Sequence, residues 1–274
     1  MKKNYAQLLL LALVALMALS ACGLLQEPEE ASSTIEAIPL ATQAAGVATG
    51  EPATAEAAEP MAEPVEATAA PAEATSAPAE ATTAPEPTAE AAAPTGTALV
   101  FTIDQGASQV RFQLDEELRG QPTTVVGTTD QVAGQLSVNL ADLSQTQVGI
   151  IQINARTLAT DNNFRNRAIQ NEILNTGDFE FITFTPTGIE GLPASATVGE
   201  AISFSLVGDL TIRDITQPAT FTVEATAVSE TQIVGTATAV VNRTDFGLQI
   251  PSVPSVANVE EQVELYIDFT ANAS

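Results

Sequence analysis

The side chains in this sequence that could move a proton, attack a carbonyl or hold a metal are few, and their identities narrow the chemistry. There is no histidine and no tryptophan, and the single cysteine is Cys22. Both lysines, Lys2 and Lys3, precede it, so from residue 98 onward the only cations are seven arginines. Serine–histidine and cysteine–histidine pairs, histidine- and cysteine-based zinc sites, Schiff-base lysines and histidine-ligated haem are thereby excluded from that region. Carboxylates remain. Asp115, Glu116 and Glu117 form one run and Glu260 and Glu261 another. Each falls in a stretch that reads as solvated loop or strand edge. The run Asp115–Glu117 lacks the alternating oxygen donors and turn glycine of a calcium loop. No catalytic residue, metal site or cofactor is expected.

Two arginine clusters stand apart: Arg165 with Asn166 and Arg167, and Arg243 with Asp245. One reading is structural, an ion pair that pins a short helix and the last loop. The other is functional, a guanidinium that meets the polar head of a ligand. Residue types alone leave both open.

The elements that must position these groups are β-strands. Phe204 to Ala225 carries the clearest pattern: Phe204, Leu206, Leu210 and Ile212 share one face with Gly208 between them, while Ser205, Asp209, Thr211 and Arg213 face the other way. Period-2 alternation is that of a half-buried antiparallel strand. A turn is expected over Asp214–Pro218, since proline suits a turn or strand start. Alternation then resumes in Phe221, Val223 and Ala225.

Further strands are expected at Phe101–Asp104, Val110–Leu114, from Val125, at Gln135–Leu140, Val148–Leu158, Phe179–Phe184, Ile233–Arg243 and Val263–Phe269. Asp115–Thr123 reads as a flexible loop, and Pro186 and Gly188 as the end of a strand. Between Thr160 and Gly177 the spacing of Phe164, Ala168, Ile169 and Leu174 is nearer helical, with Thr160 or Asp161 as N-cap and Gly177 closing the segment. Short antiparallel strands with one brief helix describe an all-β barrel or a sandwich.

The spacing Gly208-x-Leu210-Thr211-Ile212-x-x-x-Thr216-x-Pro218 resembles the signature hairpin of the YceI-like, lipocalin-like family of secreted lipid-binding barrels. Four further stretches follow that family's order: Phe101-Thr-Ile-Asp104 with Ser108-x-Val110-x-Phe112; Ile153-x-x-x-Thr157-Leu158-x-Thr160; Phe164-Arg165-Asn166 leading to Phe179-x-x-Ile182-Thr183-Phe184; and Asn242-Arg243-x-Asp245-Phe246-Gly247-Leu248. Two expected histidines are absent, an opening tryptophan is Phe101, and an expected proline is Glu180.

The resemblance implies an antiparallel lipocalin-like barrel of about eight strands that binds a long apolar lipid, of the isoprenoid quinone or polyprenyl phosphate type. Its wall would comprise the inward residues Val110, Phe112, Leu114, Ile151, Ile153, Phe164, Ile182, Phe184, Leu206, Gly208, Leu210, Ile212, Phe221 and Val223, with Arg165 and Arg243 as candidates for the head. A barrel filled with side chains, serving as a protein-interaction module, is the alternative. Gly208 is expected to leave a gap beside bulky neighbours, so that Gly208→Leu would cost a hollow barrel its ligand more than its stability.

The N-terminus supplies the address. Lys2 and Lys3, the apolar run Leu8–Leu19 and Leu19-Ser-Ala-Cys22 read as a lipoprotein signal over 1–21, with Cys22 as the acylated first residue of the mature chain. Several acyl chains anchor stably where one does not. Residues 22–97 form a linker almost entirely of Ala, Glu, Pro, Thr and Ser, with thirteen Glu and no basic residue over 23–96. Such a composition builds no core, and a disordered, dispensable tether is expected before a domain at 98–274. The net charge of −25 argues against nucleic acid and against electrostatic docking on anionic headgroups. The expected location is extracytoplasmic and membrane-anchored. Replacing Cys22 by Ala is expected to abolish lipidation and globomycin-sensitive processing; a wild-type chain released without lipid would contradict the assignment.

Overall fold

The computed structural model describes residues 27–32, 34–40 and 96–274. The signal segment, Cys22 and residues 41–95 of the linker lie outside the described residues.

Thirteen strands form one antiparallel sheet. They are β1 (Leu99–Ile103), β2 (Gln109–Leu118), β3 (Gln121–Thr129), β4 (Val132–Ala133), β5 (Gln135–Val138), β6 (Gln147–Val148), β7 (Ile151–Asn154), β8 (Phe181–Glu190), β9 (Ala201–Ile212), β10 (Ile215–Ser229), β11 (Gln232–Asn242), β12 (Val256–Ala257) and β13 (Gln262–Ala273). Around the curve the order is β4-β7-β8-β9-β10-β11-β13-β1-β5-β6, with β2 on β13 and β3 on β2. The sheet curls into a half-barrel. Beyond β3 its seam is drawn together by a reciprocal pair of hydrogen bonds, Thr128 N–H to Ala159 O at 2.9 Å and Ala159 N–H to Thr128 O at 3.0 Å.

Four local outcomes differ from the sequence reading, each for a physical reason. Asp115–Thr123 is not a flexible loop. The alternation of Val110, Phe112 and Leu114 continues through Glu116 to Leu118, and the chain reverses over Arg119 and Gly120, at φ 53° and 77°. Two positive φ values give the twist that a two-residue hairpin needs. The turn expected at Asp214–Pro218 is confined to Arg213–Asp214, because Ile215 already pairs with Ile212. Pro218 is tolerated inside β10 because β11 begins to pair only at Thr222, which leaves no ladder bond on that side for the missing N–H. β8 runs past Pro186 to Glu190, absorbing the proline in a register shift between Pro186 and Gly188. The run Val148–Leu158 divides into β6, β7 and a 3₁₀ turn at Ala155–Thr157.

The helical segment forms as expected, as α1 (Asn163–Ala168) continuing into a π turn over Ile169–Ile173. Its N-cap is Asn162 rather than Thr160 or Asp161. The Asn162 Oδ1 accepts from Phe164 N–H at 2.9 Å and Arg165 N–H at 3.2 Å.

Arg156 ties this region together. Its guanidinium donates to Thr176 O at 2.8 Å and Gly177 O at 3.0 Å, and pairs with Glu180 at 3.2 Å. Asn154, fully buried at the end of β7, donates to the same Glu180 carboxylate at 3.0 Å. The end of β7, the exit from the helical segment and the entry to β8 are thereby fixed to one another.

The same residues hold part of the linker. Glu29 pairs with Arg156 at 2.9 Å, Glu30 O accepts from it at 3.1 Å, and Ser32 N–H donates to Glu180 at 2.9 Å. Farther along, Gln105 donates to Ile35 O, and the Ile35 residue is only 3% exposed. A linker free along its whole length was expected; the described pieces 27–32 and 34–40 instead form a strap against the domain. Composition hid this because one isoleucine and a few acidic residues suffice to dock a short segment onto a ready arginine.

Burial alone would raise the Glu180 pKa, but bonds from Ser32 and Asn154 and the charge of Arg156 outweigh it and hold it below its ordinary 4.5. A lowered carboxylate contributes stability that is present above its ordinary pKa and lost as pH falls through the lowered one. A chain beginning at Thr97 is expected to melt below one beginning at Gly23, by about 2–8 °C for a loss of about 1–2 kcal/mol. The gap should shrink between pH 6 and pH 3. Ile35→Ala should cost no more than removing the strap altogether, because the strap can undock while the barrel stays folded. Equal melting temperatures at pH 6 would mean that the strap contributes nothing.

Candidate functional site

Inward-facing residues of the curled sheet fall into two halves. In one, Phe101, Ile103, Val132, Ile151, Leu206, Val223 and Ala271 belong to a packed core. In the other they surround a cavity of about 300 Å³. The division runs at Phe184. Its ring stands edge-on to Phe221, with centroids 4.9 Å apart and planes at 68°. Phe184 is cross-strand from both Ile151 and Leu210.

Above that floor the wall is hydrocarbon. Val110, Phe112 and Leu114 of β2, Ile153 of β7, Ile182 and Phe184 of β8, Leu210 and Ile212 of β9 and Phe221 of β10 line it, as the alternation predicts. Phe164 lines it from α1 and is 64% exposed, a large apolar ring at the rim. Ile151, Leu206 and Val223, expected in the wall, instead lie in the packed half. Gly208 is not part of the wall either. A Cβ there would collide with Thr185 O and come within 2.7 Å of the Phe184 ring, so the space beside Gly208 is already occupied. The alternation places a side chain on the correct face of the sheet but carries no information on its depth along the barrel.

Other lining residues had escaped notice. Ile169, Ile173 and Leu174 come from the π turn and its end, Leu265 and Ile267 from β13, Val256 from β12, and Ile250 and Val253 from the loop before it. Leu265 and Ile267 were legible as an alternating face. The loop residues had no periodicity to betray them.

Glu116 is the unexpected member. Read as solvated, it faces inward near the end of β2 with its side chain only 7% exposed, and pairs with Arg165 at 2.9 Å. Arg165 also pairs with Asp161 at 2.6 Å. Arg243 is committed differently: its guanidinium donates to the carbonyls of Glu260 at 3.0 Å, Leu248 at 3.1 Å and Val259 at 3.4 Å. Asp245 instead accepts from Asn242 at 3.1 Å. Both arginines line the cavity, and both have structural work: Arg165 fastens the helical segment to β2, and Arg243 pins the last loop. Among the described residues no group of three or more His, Cys, Asp or Glu side chains could hold a metal ion.

A family model, the YceI-like domain, matches residues 101–271. The chain belongs to the YceI-like family. Comparison with curated proteins gives no match. Among solved structures, a polyisoprenoid-binding domain from Saccharophagus degradans superposes with a TM-score of 0.52 at 15% identity, covering 64% of this chain and 99% of that one. BcnA of Burkholderia cenocepacia gives 0.48 at 17%, covering 62% and 99%, and a Campylobacter jejuni YceI protein 0.45 at 16%, covering 54% and 84%. At these identities the first of them supports the fold, a YceI-like half-barrel of antiparallel strands.

The packing of this YceI-like domain changes what a substitution at Gly208 would report. Because Phe184 and the β8 backbone fill the adjacent space, Gly208→Leu is overpacking of the floor and is expected to cost about 1–3 kcal/mol of stability. Such a loss would not distinguish a hollow barrel from a filled one. Unchanged stability in denaturant unfolding would show that the floor can yield.

Proposed function

We propose that this YceI-like domain binds a long apolar lipid, an isoprenoid, in the cavity above the Phe184–Phe221 floor. The observation that carries the reading is the cavity itself: about 300 Å³ of space walled by aliphatic and aromatic side chains and ending at an exposed apolar rim. Soluble proteins rarely leave such a volume unfilled without a use, and its size is at the small end of ligand pockets. The structural neighbour from Saccharophagus degradans is described as a polyisoprenoid-binding domain, which supports the same class of ligand.

The physical basis is transfer of hydrocarbon out of water. At about 0.8 kcal/mol per CH₂, three or four isoprene units represent roughly 12–16 kcal/mol of gross driving force. Ordering of tail and rim lowers that figure, and the true competitor is a bilayer rather than water. Net affinity against the membrane is therefore modest, which suits carriage or sequestration better than permanent storage. The domain would act from outside the cytoplasm, held to a membrane through acylated Cys22 and the linker. Lys2, Lys3 and Leu19-Ser-Ala-Cys22 support that placement.

Ala168 lines the cavity from the helical segment, away from the packed floor. Ala168→Trp is expected to reduce bound isoprenoid, read by mass spectrometry of organic extracts, at least about tenfold while changing the melting temperature little, because the indole enters existing space. Removing the charge of Arg165 should reduce occupancy less, since most of the contact is hydrocarbon. A wild-type protein that yields no extractable lipid, with Ala168→Trp indistinguishable from it in binding added isoprenoid, would sink the reading.

A further inference from the structure

Resting on acylation of Cys22, we infer that the strap, and not the length of the linker, sets how the domain meets a lipid bilayer: it holds the cavity end at the membrane. The strap begins beside that end. Glu29 pairs with Arg156 at 2.9 Å, and Ser32 N–H donates to Glu180 at 2.9 Å. Both partners stand on the cavity side of the Phe184 floor, since Ile153 of β7 and Ile182 of β8, close to them in the chain, line the cavity. From Cys22 to Glu29 a fully extended chain reaches about 25 Å. While the strap is docked, the acyl chains are confined to the neighbourhood of the cavity end.

From there the strap runs toward the packed half. Gln105 donates to Ile35 O, Ile35 is buried, and Leu40 N–H donates to Gln135, the first residue of β5, at 3.4 Å. The chain rejoins the domain at Gly96, whose carbonyl accepts from Asn139, just past the end of β5, at 2.9 Å. Residues 41–95 therefore leave and return at the two ends of one short strand, roughly 13 Å apart. With the strap docked, that long segment begins and ends on the domain and adds nothing to its reach from the membrane.

Without the strap the geometry inverts. The chain enters the sheet at the far end, where Phe101 is cross-strand from Ala273 at the close of β13. A random coil from Cys22 to Gly96 would average on the order of 50 Å between its ends. The packed end would then be the tethered one, at a loose distance. The cavity end has the surface for the closer arrangement. Phe164 is exposed there, and Ile250, Pro251 and Val253 line the same opening. A protruding aromatic ring with loop aliphatics beside it suits the edge of an acyl layer. Asp115, Asp161 and Glu260, exposed near that end, give anionic headgroups no attraction, so the short tether supplies what charge does not.

The test measures which end of the domain lies near the lipid. Full-length acylated protein is reconstituted on vesicles of phosphatidylethanolamine and phosphatidylglycerol carrying an energy-transfer acceptor on the headgroup. A donor is attached at Ser252→Cys, in the loop by the cavity, or at Glu230→Cys, in the turn after β10; both positions are exposed. β10 separates the two levels by roughly 20–30 Å, and the Ser252→Cys label is expected to transfer at least about threefold more. Glu29→Gln combined with Ile35→Asp, which undocks the strap from its own side, should erase or reverse that difference while circular dichroism stays unchanged. Replacing residues 41–95 with about twelve Gly and Ser residues, enough to span the two ends of β5, should leave the difference intact. Equal transfer from both labels in the acylated wild type would overturn the inference. So would a difference that undocking leaves unchanged, or transfer that rises when 41–95 is shortened. A chain that carries no acyl group and does not float with the vesicles would instead remove the Cys22 anchor, and this inference with it, without touching lipid binding in the cavity.

Discussion

The contact on which the architecture turns is the Phe184 ring against Phe221 and the bare backbone of Gly208. A sheet that curls this far encloses more volume than its own inward side chains fill at every level. Where glycine lets a phenyl ring lie close to the neighbouring backbone, the interior closes. Below that level, branched and small residues pack as an ordinary core. Above it the strands continue and the inward residues remain apolar, but nothing from the opposite wall reaches across. The cavity is therefore a consequence of where the aromatic floor stands.

The polar construction of the molecule lies around this shell and keeps to its edges. Arg156 gathers β7, β8, the end of the helical segment and the strap at one place, with Asn154 and Glu180 completing the set. Arg165 and Glu116 join the helical segment to β2 at the rim, and Arg243 holds the last loop by its carbonyls. Each arginine satisfies partners that would otherwise be buried without compensation, and removing one side of such a pair is costly. With these cations so engaged, the interior is left to hydrocarbon contact. The cationic poverty read from composition and the apolar cavity are two views of one arrangement.

The strap shows how a low-complexity linker can hold a specific contact. Most of it has no apolar residue to spare, yet Ile35 is buried, and Glu29, Glu30 and Ser32 reach the Arg156–Glu180 pair. The proline expected at position 180 would have offered neither the carboxylate that Ser32 grips nor the second partner for Arg156. The departure at that position and the docking of the strap therefore belong together.

By itself the sequence determined the class of the domain, the faces of its strands and the chemistry that it lacks. Alternation at Val110–Phe112–Leu114, Leu210–Ile212 and Phe221 is a local property that any antiparallel pairing must respect, and the resemblance carried by Gly208 to Pro218 chose barrel over sandwich. The absence of histidine and lysine removed whole reaction classes without reference to any coordinate. Only the tertiary structure decided depth, closure and pairing. It sent Ile151, Leu206 and Val223 to the packed half and Ile153, Ile182 and Leu210 to the cavity, because depth depends on how far each strand is staggered against its neighbours. It turned Glu116 from a solvated carboxylate into the buried partner of Arg165, because β2 extends to a left-handed turn at Arg119 and Gly120. Both outcomes depend on residues tens of positions apart in the chain, and no local periodicity records them.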